Sequence, residues 1–166
     1  MESRVRIAID LAGQRLTLFR AGLPPRRWSV STAHRGAGEL RGSAQTPRGR
    51  HVIRARIGAG LPAGAVLVGR RPTGETWSPE LSLAHPGRDW ILTRILWLSG
   101  LEPGRNRLGA VDTMRRYIYI HGTPDVESLG VPASHGCIRM RNEDVIELFD
   151  CAPVGTEVLI TEGAQP

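Results

Sequence analysis

Apolar and polar residues alternate with a period of two from Arg4 to Leu11, which predicts a strand with one buried face. Gly13-Gln14 marks a turn, and the alternation over Arg15–Arg20 predicts the hairpin partner. Leu23-Pro24-Pro25 breaks the pattern and Trp28–Thr32 resumes it. Residues 34–50 are rich in Gly and Arg and read as a loop that closes on Thr46-Pro47-Arg48-Gly49. His51–Ile57 is a further strand. Residues 58–88 are full of Gly and Pro, with one apolar stretch at Val66-Leu67-Val68, and read as a long irregular region of the kind often used as a lid or binding loop. Trp90–Leu98 is nearly continuously apolar and β-branched or aromatic, which predicts a buried central strand. Tyr117–His121 alternates cleanly, so Tyr117, Tyr119 and His121 share one face and Ile118 and Ile120 the other. One helix stands out. Asn142 can cap it, Glu143 and Asp144 suit its positive end, Val145, Ile146, Leu148 and Phe149 give it an apolar side, and Pro153 stops it. Thr156–Thr161 is the last strand.

The sum is one mainly β domain over residues 1–166, a sandwich or open barrel with a short helix after the cysteine loop. No repeat or internal boundary interrupts it. Hydrophobic residues at 40% and charged residues at 23% give enough apolar chain for a real core. The net charge is +6, carried on 22 basic residues that are all Arg. That balance favours anionic partners. The arginines are scattered, however, and no helix-turn-helix or aromatic RNA-binding signature accompanies them, so nucleic acid is not the expected partner. No run reaches the roughly 18 apolar residues of a membrane span. The segment after Met1 runs straight into a strand without a secretory leader, so the chain as written reads as cytoplasmic, or as given without its export signal.

Two cysteines make no disulfide framework. Cys137 lies in Ser134-His135-Gly136-Cys137-Ile138-Arg139-Met140, 16 residues after His121. A thiol attacks as the thiolate and needs a base or a positive field beside it. His121, ending a strand on the same face as Tyr119, could be that base, giving a thiolate–imidazolium pair fit for acyl transfer. Gly122 lets the backbone turn directly after it, and Gly136 permits a left-handed turn before the thiol. Successive N–H groups at 136–138 could converge as an oxyanion hole. The competing reading has His121, His135 and Cys137 hold zinc, but their H-x13-H-x-C spacing matches no common zinc site. Ser134 reads as a hydrogen-bonding prop of the loop, His135 as a residue that shapes the loop in preference to binding substrate, and Cys151 as inert. Arg139 could clamp a substrate carboxylate or pair with an acid such as Asp144.

The run from His121-Gly122-Thr123 to Ser134–Met140 resembles the signature of the L,D-transpeptidase catalytic domain (the YkuD-like fold). Asp10–Leu16 is similar to that family's opening hairpin, Ser31-Thr32 and Thr46-Pro47-Arg48-Gly49 to its middle motifs, and Arg116–Thr123 to the strand leading into the base. Ala33 and His51 depart from the family pattern. The resemblance implies 3→3 cross-linking of peptidoglycan stem peptides through a thioester on Cys137, with His121 as base. Loop N–H groups near Gly136 would hold the oxyanion, and Tyr119, Gly122 and Arg139 would lie against substrate. It implies no cofactor or metal, acylation of Cys137 by carbapenems, and work in the periplasm or cell envelope. Hydrolysis at the same site, as in an L,D-carboxypeptidase, is the alternative. The sequence offers no carboxylate to orient His121, a task that a backbone carbonyl could do.

Overall fold

The structure is a computed structural model and describes residues 5–163. Arg4, the first residue of the predicted opening strand, lies outside them. The described residues form ten strands and two α-helices: β1 (Val5–Asp10), β2 (Arg15–Arg20), β3 (Arg26–Ser29), β4 (Gly49–Ile57), β5 (Ala65–Val68), β6 (Arg71–Thr76), α1 (Pro79–Ala84), β7 (Ile91–Gly100), β8 (Tyr119–Thr123), β9 (Ile138–Arg141), α2 (Asn142–Cys151) and β10 (Glu157–Thr161). All ten strands belong to one nearly closed, barrel-like sheet, in the order β3-β2-β1-β10-β4-β7-β5-β6, with β8 pairing β7 and β9 pairing β8. β10 therefore lies between β1, which it pairs in parallel, and β4, which it pairs antiparallel.

The period-two alternation becomes the core. Ile7 and Ile9 of β1, Leu16 and Leu18 of β2, Leu96 and Leu98 of β7 and Ile120 of β8 are buried together under Val145, Leu148 and Phe149 of α2. Each such side chain contributes roughly 1.5–3 kcal/mol by leaving water. Ile146 is only half-buried, at the margin of that face. Glu143 and Asp144 occupy the first turn of α2 as expected, but Asn142 does not cap it. Its Oδ1 instead accepts the Thr93 hydroxyl at 2.7 Å, tying the helix start to β7.

The 58–88 region is more regular than its composition predicts. β5 and β6 form a hairpin whose two-residue turn, Gly69-Arg70, has positive φ at both positions (54° and 65°), the backbone of a turn matched to strand twist. β6 is an exposed edge strand with no buried face, so no alternation marks it. α1 follows a Ser78 cap, whose hydroxyl accepts the Leu81 N–H at 3.1 Å, with Pro79 in its first turn.

Two boundaries also shift. Tyr117 sits at φ +58° and closes a turn, so the strand predicted from 117 begins at Tyr119. β3 ends at Ser29, because Val30–Thr32 turn away to hold the cysteine loop.

Candidate active site

β8 and β9 run in parallel with His121 beside Arg139. Cys137, the residue before β9, is thereby brought alongside Tyr119. The Tyr119 N–H donates to Cys137 Sγ at 3.3 Å, and the thiol donates to the Tyr117 carbonyl at 3.4 Å. The two tyrosine residues are thus hydrogen-bonded to the thiol through their backbones. A cleft of about 320 Å³ is lined by Cys137, His121, Tyr119, Arg139, Asp89 and Arg116, among others. The alternation at 118–121 works as predicted: Ile118 and Ile120 enter the main core, while Tyr119 packs with Leu67, Ile95 and Cys137 on the cleft side.

His121 is 1% exposed. Its Nδ1 lies 2.7 Å from the Gly122 carbonyl. A carbonyl only accepts, so Nδ1 carries the proton, and a neutral ring then has its lone pair on Nε2. Burial holds the imidazole pKa below its ordinary 6.5, against the pull of the Gly122 carbonyl and Asp89, while Arg139 lowers it further. Burial likewise pushes the Cys137 thiol up to about 12, opposed by the Tyr119 N–H, Arg139 and Arg116. Burial thus disfavours both charged forms, the thiolate and the imidazolium, in the absence of substrate. No hydrogen bond joins Sγ to the ring among the described residues.

The loop before Cys137 is held by groups from distant strands. Gly136 has φ +134°, and a Cβ there would press on Ile118 Cδ1 at 3.2 Å and the Gln45 carbonyl at 3.3 Å, so glycine is required. Ser134 Oγ donates to the Cys137 carbonyl at 2.6 Å and accepts the Gly136 N–H at 3.2 Å. These bonds tie Ser134 to the backbone on both sides of the thiol. They also remove the Gly136 N–H from the expected oxyanion hole. The Cys137 N–H has no partner among the described residues. Thr46 Oγ1 donates to the Gly136 carbonyl at 2.9 Å and accepts the Ala33 N–H at 3.0 Å. Thr32 accepts the N–H groups of Ala133 and Ser134 through its carbonyl, and Ser31 exchanges backbone hydrogen bonds with Arg139.

Other expected roles change. His135 is exposed and lines the cleft, the position that fits the substrate-side reading better than the loop-shaping one. Arg139 pairs with Asp89 at 3.0 Å, not with Asp144. No turn follows His121, because β8 continues through Gly122 to Thr123. Gly122 is needed for close approach, since a Cβ would sit 2.7 Å from the Leu92 carbonyl and collide with Asn142 Oδ1. Asp89 and Arg70 had no sequence signal. Arg70, on the β5–β6 turn, donates to the Tyr119 hydroxyl at 3.1 Å and lies over the Trp97 and Tyr117 rings at 4.9 and 5.0 Å. Of the two departures from the family pattern, Ala33 is fully buried. His51 is buried between the Gly49 carbonyl at 3.0 Å and the Thr113 hydroxyl at 2.9 Å, and burial lowers its pKa to about 4.

A family model for the L,D-transpeptidase catalytic domain matches residues 4–160. A putative L,D-transpeptidase of Bacillus licheniformis is 31% identical over 156 residues, covering 94% of this chain and 65% of that protein. A putative L,D-transpeptidase of Bacillus subtilis, YqjB, is 53% identical over a shorter stretch of 53 residues, 32% of this chain and 30% of that protein. The chain thus spans between about a third and two thirds of these relatives' length. Among solved structures, an L,D-transpeptidase from Mycobacterium smegmatis shares the fold with a TM-score of 0.60 at 17% identity, over 95% of this chain and 58% of that one. The L,D-transpeptidase LdtMt1 in complex with imipenem gives 0.56 at 18% identity, over 95% of this chain and 59% of that one. The mainly β sheet, the parallel β8–β9 pair that sets Cys137, just before β9, beside the strand of His121, and the family match over nearly the whole chain lead to one assignment: this chain belongs to the L,D-transpeptidase catalytic-domain family.

Proposed function

We propose that this domain is the catalytic unit of a cysteine-dependent L,D-transpeptidase that forms 3→3 cross-links in peptidoglycan. The observation that carries the reading is the shared cleft: Cys137 and His121 both line it, and the Nδ1–H···O=C bond to Gly122 leaves Nε2 of His121 to act as base. Because burial disfavours the charged form of each group, proton transfer accompanies attack. The thiol turns from the Tyr117 carbonyl and gives its proton to Nε2 as sulfur bonds to the carbonyl carbon on the L-centre of the third-position diamino acid. The unpartnered Cys137 N–H faces the developing oxyanion. His121 then protonates the departing amine of D-alanine, leaving a thioester. The side-chain amine of a second stem attacks that thioester, His121 takes its proton, and the thiol is released. One amide is broken and one made, so no energy carrier or cofactor takes part. The substrate sets this work in the cell envelope.

Incubation with purified disaccharide-tetrapeptide tests the reading: a cross-linked dimer is expected. Tripeptide alone would assign the site to hydrolysis, as in an L,D-carboxypeptidase. The imipenem complex of LdtMt1 suggests the companion experiment. A carbapenem should add its mass to the wild-type protein and to Cys151→Ser, and not to Cys137→Ser. Folded, reduced protein that takes up no carbapenem would overturn the assignment.

A further inference from the structure

Beside the cysteine cleft lies a second, wider groove of about 590 Å³ that shares Arg116, Tyr117, Ile118 and His135 with it and adds Arg41 and Arg115. Three guanidinium groups line this groove and no carboxylate does. The acids in reach are already engaged. Glu39, which bears on Arg116, is held by Arg48 through two side-chain bonds of 2.9 Å. Asp112, beside Arg115, accepts the N–H groups of Leu108 and Arg115 at 2.7 and 3.0 Å.

The backbone that carries these arginines is fixed. The Arg41 N–H donates to the Ala110 carbonyl at 2.7 Å. The Arg116 guanidinium is held by the carbonyls of Gly38 and Gln45 and by the Ser43 hydroxyl. The side chains of Arg41 and Arg115, by contrast, make no ion pair or hydrogen bond among the described residues. Two guanidinium groups without an ion pair or hydrogen bond of their own, on a fixed backbone and next to a third already in place, favour anions with oxygen acceptors. The groove beyond His135 and Arg139 differs in charge: Asp89 and Asp125 there balance Arg88 and Arg139.

The geometry points to an anion subsite: the Arg41–Arg115–Arg116 groove binds carboxylates of the stem peptide whose amide reacts at Cys137. This rests on the peptidoglycan reading above. It adds that the chain distinguishes its two flanks by charge, so a carboxylate-bearing part of the substrate lies on the arginine side. The candidate anions are the terminal carboxylate of the departing residue and the free carboxylate of the diamino acid.

Binding and turnover separate this inference from the function it rests on. The disaccharide-tetrapeptide is titrated into Cys137→Ala protein by calorimetry, with and without Arg41→Gln and Arg115→Gln. The double arginine variant should bind about tenfold more weakly, the scale of losing a charge-assisted hydrogen bond. In the active protein the same two substitutions should raise KM about tenfold and leave kcat within about twofold. Alkylation of Cys137 by neutral iodoacetamide should be unchanged, which shows that the cleft is intact. Tetrapeptides amidated at one carboxylate or the other show which anion is bound: that one should bind weakly to the parent and be insensitive to the arginine substitutions. Equal affinity of both amidated peptides and the parent peptide, or unchanged affinity in the arginine variant, overturns the subsite while leaving turnover, and hence the proposed function, in place. Arginine-dependent binding without any turnover retains the subsite and removes the transpeptidase reading. Tighter binding of a single-stranded oligonucleotide, lost in the same variant, would also overturn the subsite.

Discussion

At Cys137, burial and the hydrogen bond to the Tyr117 carbonyl both favour the protonated thiol, whose pKa is pushed up to about 12. Reactivity then depends on bringing a substrate carbonyl and Nε2 of His121 to the sulfur together, rather than on a thiolate waiting in the empty cleft. Small alkylating agents, which make no use of the base, should therefore react slowly at neutral pH. The iodoacetamide rate at Cys137 in Cys151→Ser protein should climb with pH through 9 and 10 without levelling. A plateau reached near pH 7 would mean that the ion pair exists before substrate arrives. The sequence suggests that pair from a Cys and a His on adjoining motifs, and carries no signal of the desolvation that opposes their charges.

At the scale of elements, the motifs that look weakest in the chain do the holding. Ser31-Thr32 and Thr46 lie roughly 90 to 105 residues before the loop they support, yet they supply its main hydrogen bonds. Thr46→Val keeps the shape and leaves the buried Gly136 carbonyl and Ala33 N–H without their partner. It should lower stability by about 3 kcal/mol, since each unsatisfied buried group costs about 1–3 kcal/mol. Urea unfolding measures this directly, and carbapenem acylation of the same variant should slow. Unchanged stability would show that water or another group takes over. The hairpin β1–β2 and the helix α2 were legible because one face of each is buried and the period shows, and the central strand β7 because a nearly unbroken apolar run marks a strand buried on both faces. β6 and α1 were not, since neither buries a side chain. The Ser78-Pro79-Glu80 cap signature was there to be used. Asp89 had no signal at all, because its partner Arg139 lies 50 residues away and only the folded chain brings them together.

For the whole molecule, His51 links folding to pH. The unfolded chain takes up a proton there near pH 6.5, the folded chain only near pH 4. The stabilisation from keeping His51 neutral is therefore complete above pH 6.5 and is lost as pH falls from 6.5 to 4. Over the whole window it amounts to roughly 3 kcal/mol. His121, whose pKa is also lowered by burial, acts in the same direction. Urea midpoints at pH 7, 5.5 and 4.5 should fall steadily in the wild type and less steeply in His51→Gln. Parallel slopes would remove His51 from the account.

The place of β10 carries a consequence for how the domain comes into being. It is the last of the ten strands to leave the ribosome, yet it fills the gap between β1 and β4. Until it arrives, β1–β3 and β4–β9 are separate ribbons with bare edges that no other strand covers. Assembly of the sheet has to wait until β10 has been made, and the growing chain passes that interval with its strands open to mispairing.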